Sequence, residues 1–172
     1  KRPGTFHSIH CYEPIMFPGA DPPPPPPGSN LATGARRRRE VFPSRDLAFD
    51  NYAGKPPFAS FTPEALRDYV TYGFDDLPDG TVRLKCRGEN EARVYEGGFS
   101  HDAFAHLDEI ECPVTIACGA LSDIGVPTME AVAARLRHGH LDVLDGLSHF
   151  GPFEDPDAVA LSILRAAVTP RA

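Results

Sequence analysis

The clearest hydrophobic pattern of the chain lies in its last third, where short apolar runs alternate with helical stretches. Residues 113–118 (PVTIAC) form a continuous, β-branched apolar run, which is typical of a strand buried on both faces. Residues 140–144 form the next predicted strand, and helices are predicted over 127–136 and from Pro156 onwards. Strand, helix, strand and helix at this spacing predict parallel strands joined by right-handed crossovers.

The last of these helices is apolar on more than one side. Asp155 is its predicted N-cap, and proline occupies the first helical position, where its missing N–H costs nothing. The pattern predicts that this helix buries Val159, Leu161, Ile163 and Leu164.

The first part of the chain predicts one more strand and then a long interruption. Residues 4–13 (GTFHSIHCYE) suit a strand, which Pro14 ends. Pro22–Pro27 form a polyproline tract, which predicts an extended, solvated linker or surface loop. The predicted organisation is a core strand in residues 1–14, a loop and mostly helical region in 15–107, and further core strands and helices in 108–172.

Helix start and stop signals are clear within the middle region. Ser44 is predicted to cap a helix that runs to Tyr52, and Thr62 to cap a helix that ends at Gly73. A short strand is predicted where polar and apolar residues alternate over 81–86. Further helices are predicted over 31–42, 89–95 and 101–107.

Length, charge and hydropathy predict one soluble-type domain without a nucleic-acid or membrane partner. The 172 residues are enough for one full domain, and 17 basic against 24 acidic residues give a net charge of −7, which predicts no nucleic-acid partner. The basic run Arg36–Arg39 is predicted to be a solvated face paired with Glu40 or with other acids. No apolar run approaches the length of a membrane span, so no membrane partner is predicted.

Cysteine spacing predicts no metal site and no disulfide framework. The chain has four cysteines and no C-x-x-C pair, and Cys11 and Cys118 lie inside apolar runs, where a free thiol behaves as a small hydrophobe. Free thiols indicate a reducing compartment, and the cytoplasm is the expected location. No cofactor is predicted.

Two polar residues follow the predicted strands of the last third at the same distance. Asp123 comes five residues after Cys118, and His149 comes five residues after Leu144. Because functional loops of a parallel sheet lie beyond the carboxyl ends of its strands, we expect both residues at one edge. A histidine can take a proton from a nucleophile, and a buried carboxylate can fix its tautomer and stabilise the imidazolium.

The sequence around these residues resembles the C-terminal part of an α/β-hydrolase fold protein. CPVTIACGALSD (residues 112–123) resembles the strand and acid loop, and GLSHFGPFEDPDAVALSIL (residues 146–164) resembles the histidine loop and last helix. TFHSIHCYEP (residues 5–14) resembles the strand after the nucleophile helix, and the region after it sits where this fold commonly inserts its cap. The resemblance implies an α/β fold, half of a hydrolase parallel sheet with a mostly helical cap, with Asp123 as the acid and His149 as the base.

The nucleophile that this fold requires is absent from the sequence. No G-x-S-x-G motif occurs, and the HG-type loop that supplies oxyanion donors is absent as well. Ser148 lies between Gly146 and Gly151, but this segment is one residue too long for the sharp turn of a nucleophile, so Ser148 is set aside. The expectation is that the nucleophile lies upstream of this chain, on a missing N-terminal half of the fold, and that the chain alone is inactive.

Other residues compete for catalytic roles. Glu13, at the end of the first predicted strand, is a rival acid, because some members of the fold place the acid there. Cap tyrosines can donate a hydrogen bond to a leaving oxygen in epoxide hydrolases, although aromatic residues at helical spacing more often pack in a core. The tyrosines to which this applies are Tyr52, Tyr69, Tyr72 and Tyr95.

The resemblance implies hydrolysis of a small, apolar, ester-like substrate through a Ser-Asp-His triad and an acyl-enzyme. Two alternatives stay open at this point. One is an epoxide hydrolase or dehalogenase with an aspartate nucleophile, and the other is a non-catalytic interaction domain on the same scaffold. The residue at the nucleophile turn would separate the three.

Overall fold

The structure, a computed structural model, describes residues 4–17, 30–98 and 101–168. These residues form two compact units, one made of 4–17 and 101–168 and the other of 30–98. Residues 101–107, assigned to the cap from the sequence, therefore belong to the first unit. The polyproline tract lies outside the described residues.

The described elements follow the order strand, middle region, then alternating strands and helices. In chain order they are β1 (Ile9–Tyr12), α1 (Leu31–Arg36), β2 (Val41–Phe42), α2 (Arg45–Ala53), α3 (Pro63–Tyr72), β3 (Phe74–Asp76), β4 (Val82–Leu84), α4 (Gly88–Gly97), β5 (Val114–Gly119), α5 (Val126–Arg135), β6 (Gly139–Leu144), α6 (Gly151–Glu154) and α7 (Pro156–Val168). Two short 3-10 helices cover Phe58–Ser60 and Ala103–Glu109.

A parallel three-stranded sheet is the centre of the first unit. Its order is β1-β5-β6, so the strand from the start of the chain pairs with the first strand of the last third. Ile9 lies opposite Val114, which lies opposite Gly139 in turn. Every residue of β5 is buried, which confirms the prediction from its continuous apolar run.

Helices cover the two faces of this sheet. Val114, Ile116 and Cys118 alternate along β5 and pack against Met129 and Val132 of α5. The opposite face meets α7, whose Ser162 hydroxyl donates a hydrogen bond to Asp142 of β6 and therefore accepts one from Nε2 of His10 in β1. The predicted helical connection between neighbouring parallel strands is present as α5, which joins β5 to β6.

Helix α7 differs from its prediction in which residues it buries. Val159, Ser162 and Ala166 are its buried residues, at the three- and four-residue spacing of one helical face. Leu161, Ile163 and Leu164 were expected in the core but are exposed, Leu164 to 62%. The prediction for these three was wrong because an apolar run on a helix does not say which side meets the sheet.

The second unit combines helices with a small antiparallel sheet. Strands β2, β4 and β3 pair in that order around an aromatic core that includes Phe42, Tyr52 and Phe74. The helix caps at Ser44 and Thr62 are confirmed, because each side chain accepts a hydrogen bond from a backbone N–H of the first turn. Strand β4 was predicted, whereas β2 and β3 were not.

The helix predicted over 31–42 is shorter in the structure. It ends at Arg36, and the chain then forms β2. Backbone pairing explains the change, because Leu84 N donates to Glu40 O and Val41 lies opposite Arg83. Of the described helices, none is long and apolar enough to cross a membrane.

Candidate active site

Three chain segments meet at the carboxyl edge of the parallel sheet. Glu13 directly follows β1, the β5 loop (residues 120–125) follows β5, and the histidine loop (residues 145–150) follows β6. Because the strands are parallel, their carboxyl ends meet at the same edge. Backbone hydrogen bonds join two of these segments, since Leu121 N donates to Leu147 O over 2.9 Å.

A carboxylate–histidine pair lies at this junction. The Nδ1 atom of His149 is 2.7 Å from Oε2 of Glu13. The Glu13 side chain is fully buried, whereas that of His149 is 35% exposed. With its proton on Nδ1 held by the carboxylate, the neutral imidazole carries its lone pair on Nε2, the nitrogen that can accept a proton.

The backbone and the carboxylate of Glu13 are both fixed by the sheet. Glu13 N donates to Ala117 O, which extends the pairing of β1 with β5 by one residue. Its Oε1 accepts a hydrogen bond from Gly119 N and its Oε2 one from Ser122 Oγ. Glu13 also has a φ of +42°, a conformation that costs a residue with a side chain about 1–2 kcal/mol. Such strain concentrates at functional positions.

The pair shifts the pKa of both partners toward the charged forms. The hydrogen bond to Glu13 raises the pKa of His149 against the opposing effect of burial, and the charges of Glu13 and Asp123 raise it further. For Glu13, burial acts to raise the pKa, but the hydrogen bonds from His149, Ser122 and Gly119 outweigh it and the pKa is lowered. An anionic carboxylate facing imidazole is the arrangement that stabilises an imidazolium during proton transfer.

The partner of His149 in the structure is Glu13, not the predicted Asp123. Asp123 is exposed and contributes its charge to the surroundings of His149, while the buried hydrogen bond comes from the end of β1. The physical reason is the course of the β5 loop, in which Ser122 points toward Glu13 and the next residue points to solvent. Glu13 is the rival acid that was expected from its position at the end of the first predicted strand.

The histidine loop is held by hydrogen bonds that were not predicted from the sequence. The N–H and the hydroxyl of Ser148 both donate to the carboxylate of Glu154, over 2.7 and 2.6 Å. The Tyr12 hydroxyl donates to Ser148 O over 2.6 Å. Ser148 thus serves to anchor the loop that carries His149, which agrees with setting it aside as a nucleophile.

Close backbone approach makes one glycine essential to this geometry. Gly119 donates its N–H to Glu13, and a Cβ at this position would overlap the carbonyl groups of Leu147 and Ser148. Only glycine allows the end of β5 to lie so near the histidine loop. The segment CGALSD (residues 118–123) therefore supplies a glycine that the packing requires as well as polar side chains.

The polar residues of the second unit are engaged with one another. Arg38 donates to Glu91 over 2.6 Å and to the Tyr69 hydroxyl over 2.7 Å, with the Tyr52 hydroxyl at 3.4 Å. Tyr95 donates to Glu91, and Tyr72 is exposed. Tyr52 and Tyr69 also belong to an aromatic core within this unit, the packing role expected as the alternative to a contact with substrate.

Acidic residues neutralise much of the basic run. Arg36 binds Glu89 and Glu96, and Arg38 binds Glu91. Glu40 binds Arg87, which is outside the run, so of the two expected kinds of partner, Glu40 or other acids, the run pairs with other acids. Across residues 4–17, 30–98 and 101–168, no group of three or more His, Cys, Asp or Glu side chains is placed to hold a metal ion.

Comparison with known proteins identifies the fold. No protein-family model and no curated protein match the chain. Among solved structures, the peroxisomal alpha-beta-hydrolase Lpx1 from Saccharomyces cerevisiae is similar over 94% of this chain, with 20% identity and a TM-score of 0.75. An E-2-(acetamidomethylene)succinate hydrolase is similar over 95%, with 17% identity and a TM-score of 0.67. An N-formylmaleamic acid deformylase from Pseudomonas putida is similar over 93%, with 12% identity and a TM-score of 0.62.

This chain spans about half the length of these structures, namely 46%, 58% and 57% of them respectively. The strand order, the crossover helix α5 between β5 and β6, and the placement of His149 after β6 agree with such a match. The chain has the α/β-hydrolase fold and corresponds to its C-terminal part.

Proposed function

We propose that this chain is the acid–base half of a hydrolase that cleaves small, apolar, ester-like substrates. The observation that carries the proposal is the buried hydrogen bond between Glu13 and Nδ1 of His149. It combines a carboxylate whose pKa is lowered with an imidazole whose pKa is raised, at the sheet edge where hydrolases of this fold carry out catalysis. The hydrolase names of the similar structures support the general class.

In the proposed reaction, His149 Nε2 takes the proton of a serine hydroxyl as the serine oxygen attacks the substrate carbonyl. Glu13 stabilises the imidazolium that results, and the imidazolium then gives the proton to the leaving alcohol. A water molecule repeats the sequence on the acyl-enzyme, with His149 again as the base. The proposal places the serine and the oxyanion donors on further chain, because the sequence has no G-x-S-x-G turn and the Ser148 hydroxyl donates to Glu154.

The proposed source of the nucleophile is an N-terminal half of the same fold. In the described part of the chain, β1 pairs with β5 along one edge, and no strand pairs with its other edge. Leu161, Leu164 and Val168 form an exposed apolar stripe along α7, at helical spacing. An unpaired edge and an exposed apolar stripe in one unit support the proposal that further chain covers both.

The four cysteines are free in the structure, which supports the proposal that the protein works in a reducing compartment such as the cytoplasm. The proposed substrate is a small molecule, and the proposal includes no cofactor. No nucleic-acid partner is proposed, because the net charge of −7 disfavours contact with phosphates.

The test is ester hydrolysis by a protein that contains this chain together with the half of the fold that carries the nucleophile turn. With p-nitrophenyl acetate and butyrate, we expect His149→Ala to reduce kcat/KM by about 1,000-fold or more. Glu13→Gln is expected to cause a loss of similar size, because an amide favours the wrong imidazole tautomer.

Asp123→Asn is the matched control, because it removes a carboxylate near His149 that makes no hydrogen bond to Nδ1 in the structure. We expect it to change kcat/KM by less than about tenfold, since it alters only a screened charge interaction. Full activity of the His149→Ala protein would refute the proposed base. A severe loss in Asp123→Asn with a mild one in Glu13→Gln would return the acid to Asp123.

A further inference from the structure

Ser122, for which the sequence predicted no role, contacts the carboxylate of Glu13. It donates to Oε2 of Glu13 over 2.7 Å, and this is the same oxygen that faces Nδ1 of His149, also over 2.7 Å. The other oxygen, Oε1, accepts the N–H of Gly119. The carboxylate is thus held by three donors, one each from the end of β5, the β5 loop and the histidine loop, and His149 and Ser122 share the same oxygen.

We propose that Ser122 is a positioning residue, which fixes the rotation of the Glu13 carboxylate and limits the negative charge that its Oε2 presents to His149. The inference rests on the proposed function for its catalytic meaning. Its geometric basis is independent of that function, because all four groups lie within the first unit of the described chain.

The direction of the Ser122 hydroxyl is determined by its neighbours. Ile124 N donates to Ser122 Oγ over 3.2 Å, so the oxygen is already used as an acceptor. An ionised carboxylate has no proton to give, and the single hydrogen of the hydroxyl must therefore point to Glu13. Water cannot easily replace this donor, since Glu13 is only 3% exposed.

Loss of the Ser122 hydroxyl would leave the Glu13 carboxylate held less firmly but increase the negative charge that it presents to His149. Without Ser122, the carboxylate keeps Gly119 and His149 as donors but loses the contact that fixes Oε2 from the side of the β5 loop. The same oxygen then carries more negative charge toward His149, because one of its two donors is gone. The imidazolium is stabilised more strongly, so the pKa of His149 is expected to rise.

Neighbouring charges predict the opposite sign for the adjacent residue. The charge of Asp123 raises the pKa of His149, so Asp123→Asn is expected to lower that pKa. The other titratable groups around the Glu13–His149 pair come from β1, β5 and α6, and they are Tyr12, Cys118 and Glu154. None of these three is changed in the comparison of residues 122 and 123.

The experiment is an NMR pH titration of the His149 imidazole in the 172-residue chain and its variants, with His149→Gln to assign the signal. We expect the pKa of His149 to shift upward in Ser122→Ala and downward in Asp123→Asn. Ser122→Thr keeps a hydroxyl and is expected to return the pKa toward that of the wild type. Backbone amide spectra report whether each variant keeps its fold.

An unchanged or lowered pKa of His149 in a folded Ser122→Ala chain would overturn the proposal, as would a Ser122→Thr value equal to that of Ser122→Ala. A second readout applies to the active protein with its nucleophile half. There Ser122→Ala is expected to reduce kcat/KM at pH 7 by about tenfold, the effect of one hydrogen bond to a charged group, and to move the acidic limb of the pH profile upward. The titration needs no turnover, so it separates failure of this inference from failure of the proposed hydrolase.

Discussion

Replacement of Glu13 by glutamine should destabilise the first unit in a pH-dependent way. The substitution keeps the size of the side chain and removes the charge that faces His149. A hydrogen bond to a charged group contributes about 1.5–3 kcal/mol to the free energy of unfolding. Because the His149 side chain is 35% exposed, solvent screening reduces this, and we expect about 1–2 kcal/mol.

The pH dependence follows from the two pKa shifts. The pKa of His149 is raised from 6.5 in the folded chain, so its contribution is complete below pH 6.5 and is lost as the pH rises through the folded value. The pKa of Glu13 is lowered from 4.5, so its contribution is present above pH 4.5 and is lost as the pH falls through its folded value. Both contributions coincide between pH 4.5 and 6.5.

Urea unfolding at pH 5.5 and pH 8.5 would measure the effect, at pH values chosen to lie inside and above this window. The methyl resonances of Ile116, which is fully buried in β5, report on the first unit alone. We expect Glu13→Gln to lower the free energy of unfolding by about 1–2 kcal/mol at pH 5.5 and by clearly less at pH 8.5. An equal loss at both pH values, or a larger one at pH 8.5, would refute the ion pair as the source of stability.

Three further predictions concern packing and reactivity. Gly119→Ala should lower the free energy of unfolding by about 1–3 kcal/mol, because its Cβ would overlap the backbone of the histidine loop. The control Gly54→Ala has open space around the added Cβ and should lower it much less. Equal losses in the two variants would contradict this close approach. We expect a fluorophosphonate probe not to label Ser148, as detected by mass spectrometry, because the Ser148 hydroxyl donates its hydrogen bond to the Glu154 carboxylate. Stoichiometric labelling would show that Ser148 is a nucleophile. Arg38→Gln removes the hydrogen bonds to Glu91 and Tyr69 and should destabilise the second unit by about 1–3 kcal/mol in thermal unfolding. The control Arg37→Gln changes an exposed side chain and should cost less than about 0.5 kcal/mol. A larger loss in Arg37→Gln than in Arg38→Gln would contradict a stabilising role for the Arg38 hydrogen bonds.

Periodicity was sufficient to predict the parallel sheet. The run PVTIAC is apolar without interruption because both faces of β5 are covered, and the N-caps at Ser44, Thr62 and Asp155 mark helix starts that the structure confirms. Strands β2 and β3 have two and three residues, too few for alternation to be recognised. They exist because β4 pairs with both, a tertiary condition that no local pattern contains.

The position of the acid was harder to predict for a similar reason. Equal spacing placed Asp123 and His149 at one edge of the sheet, and both loops do lie there. Which carboxylate meets Nδ1 depends on the direction of each side chain in its loop. Glu13 reaches His149 through a positive φ and a buried contact with Gly119, and neither feature can be deduced from the sequence.

The hydrogen bond between Glu13 and Nδ1 of His149 is the central feature of the proposed active site, and proton NMR detects it directly. In the chain at low temperature and pH 5.5, we expect a low-field resonance of the Nδ1 proton, shifted downfield by its bond to the carboxylate. We expect this resonance to persist in Asp123→Asn and to disappear in Glu13→Gln. Its loss in Asp123→Asn, with retention in Glu13→Gln, would contradict the Glu13–His149 pair and the proposed active site with it.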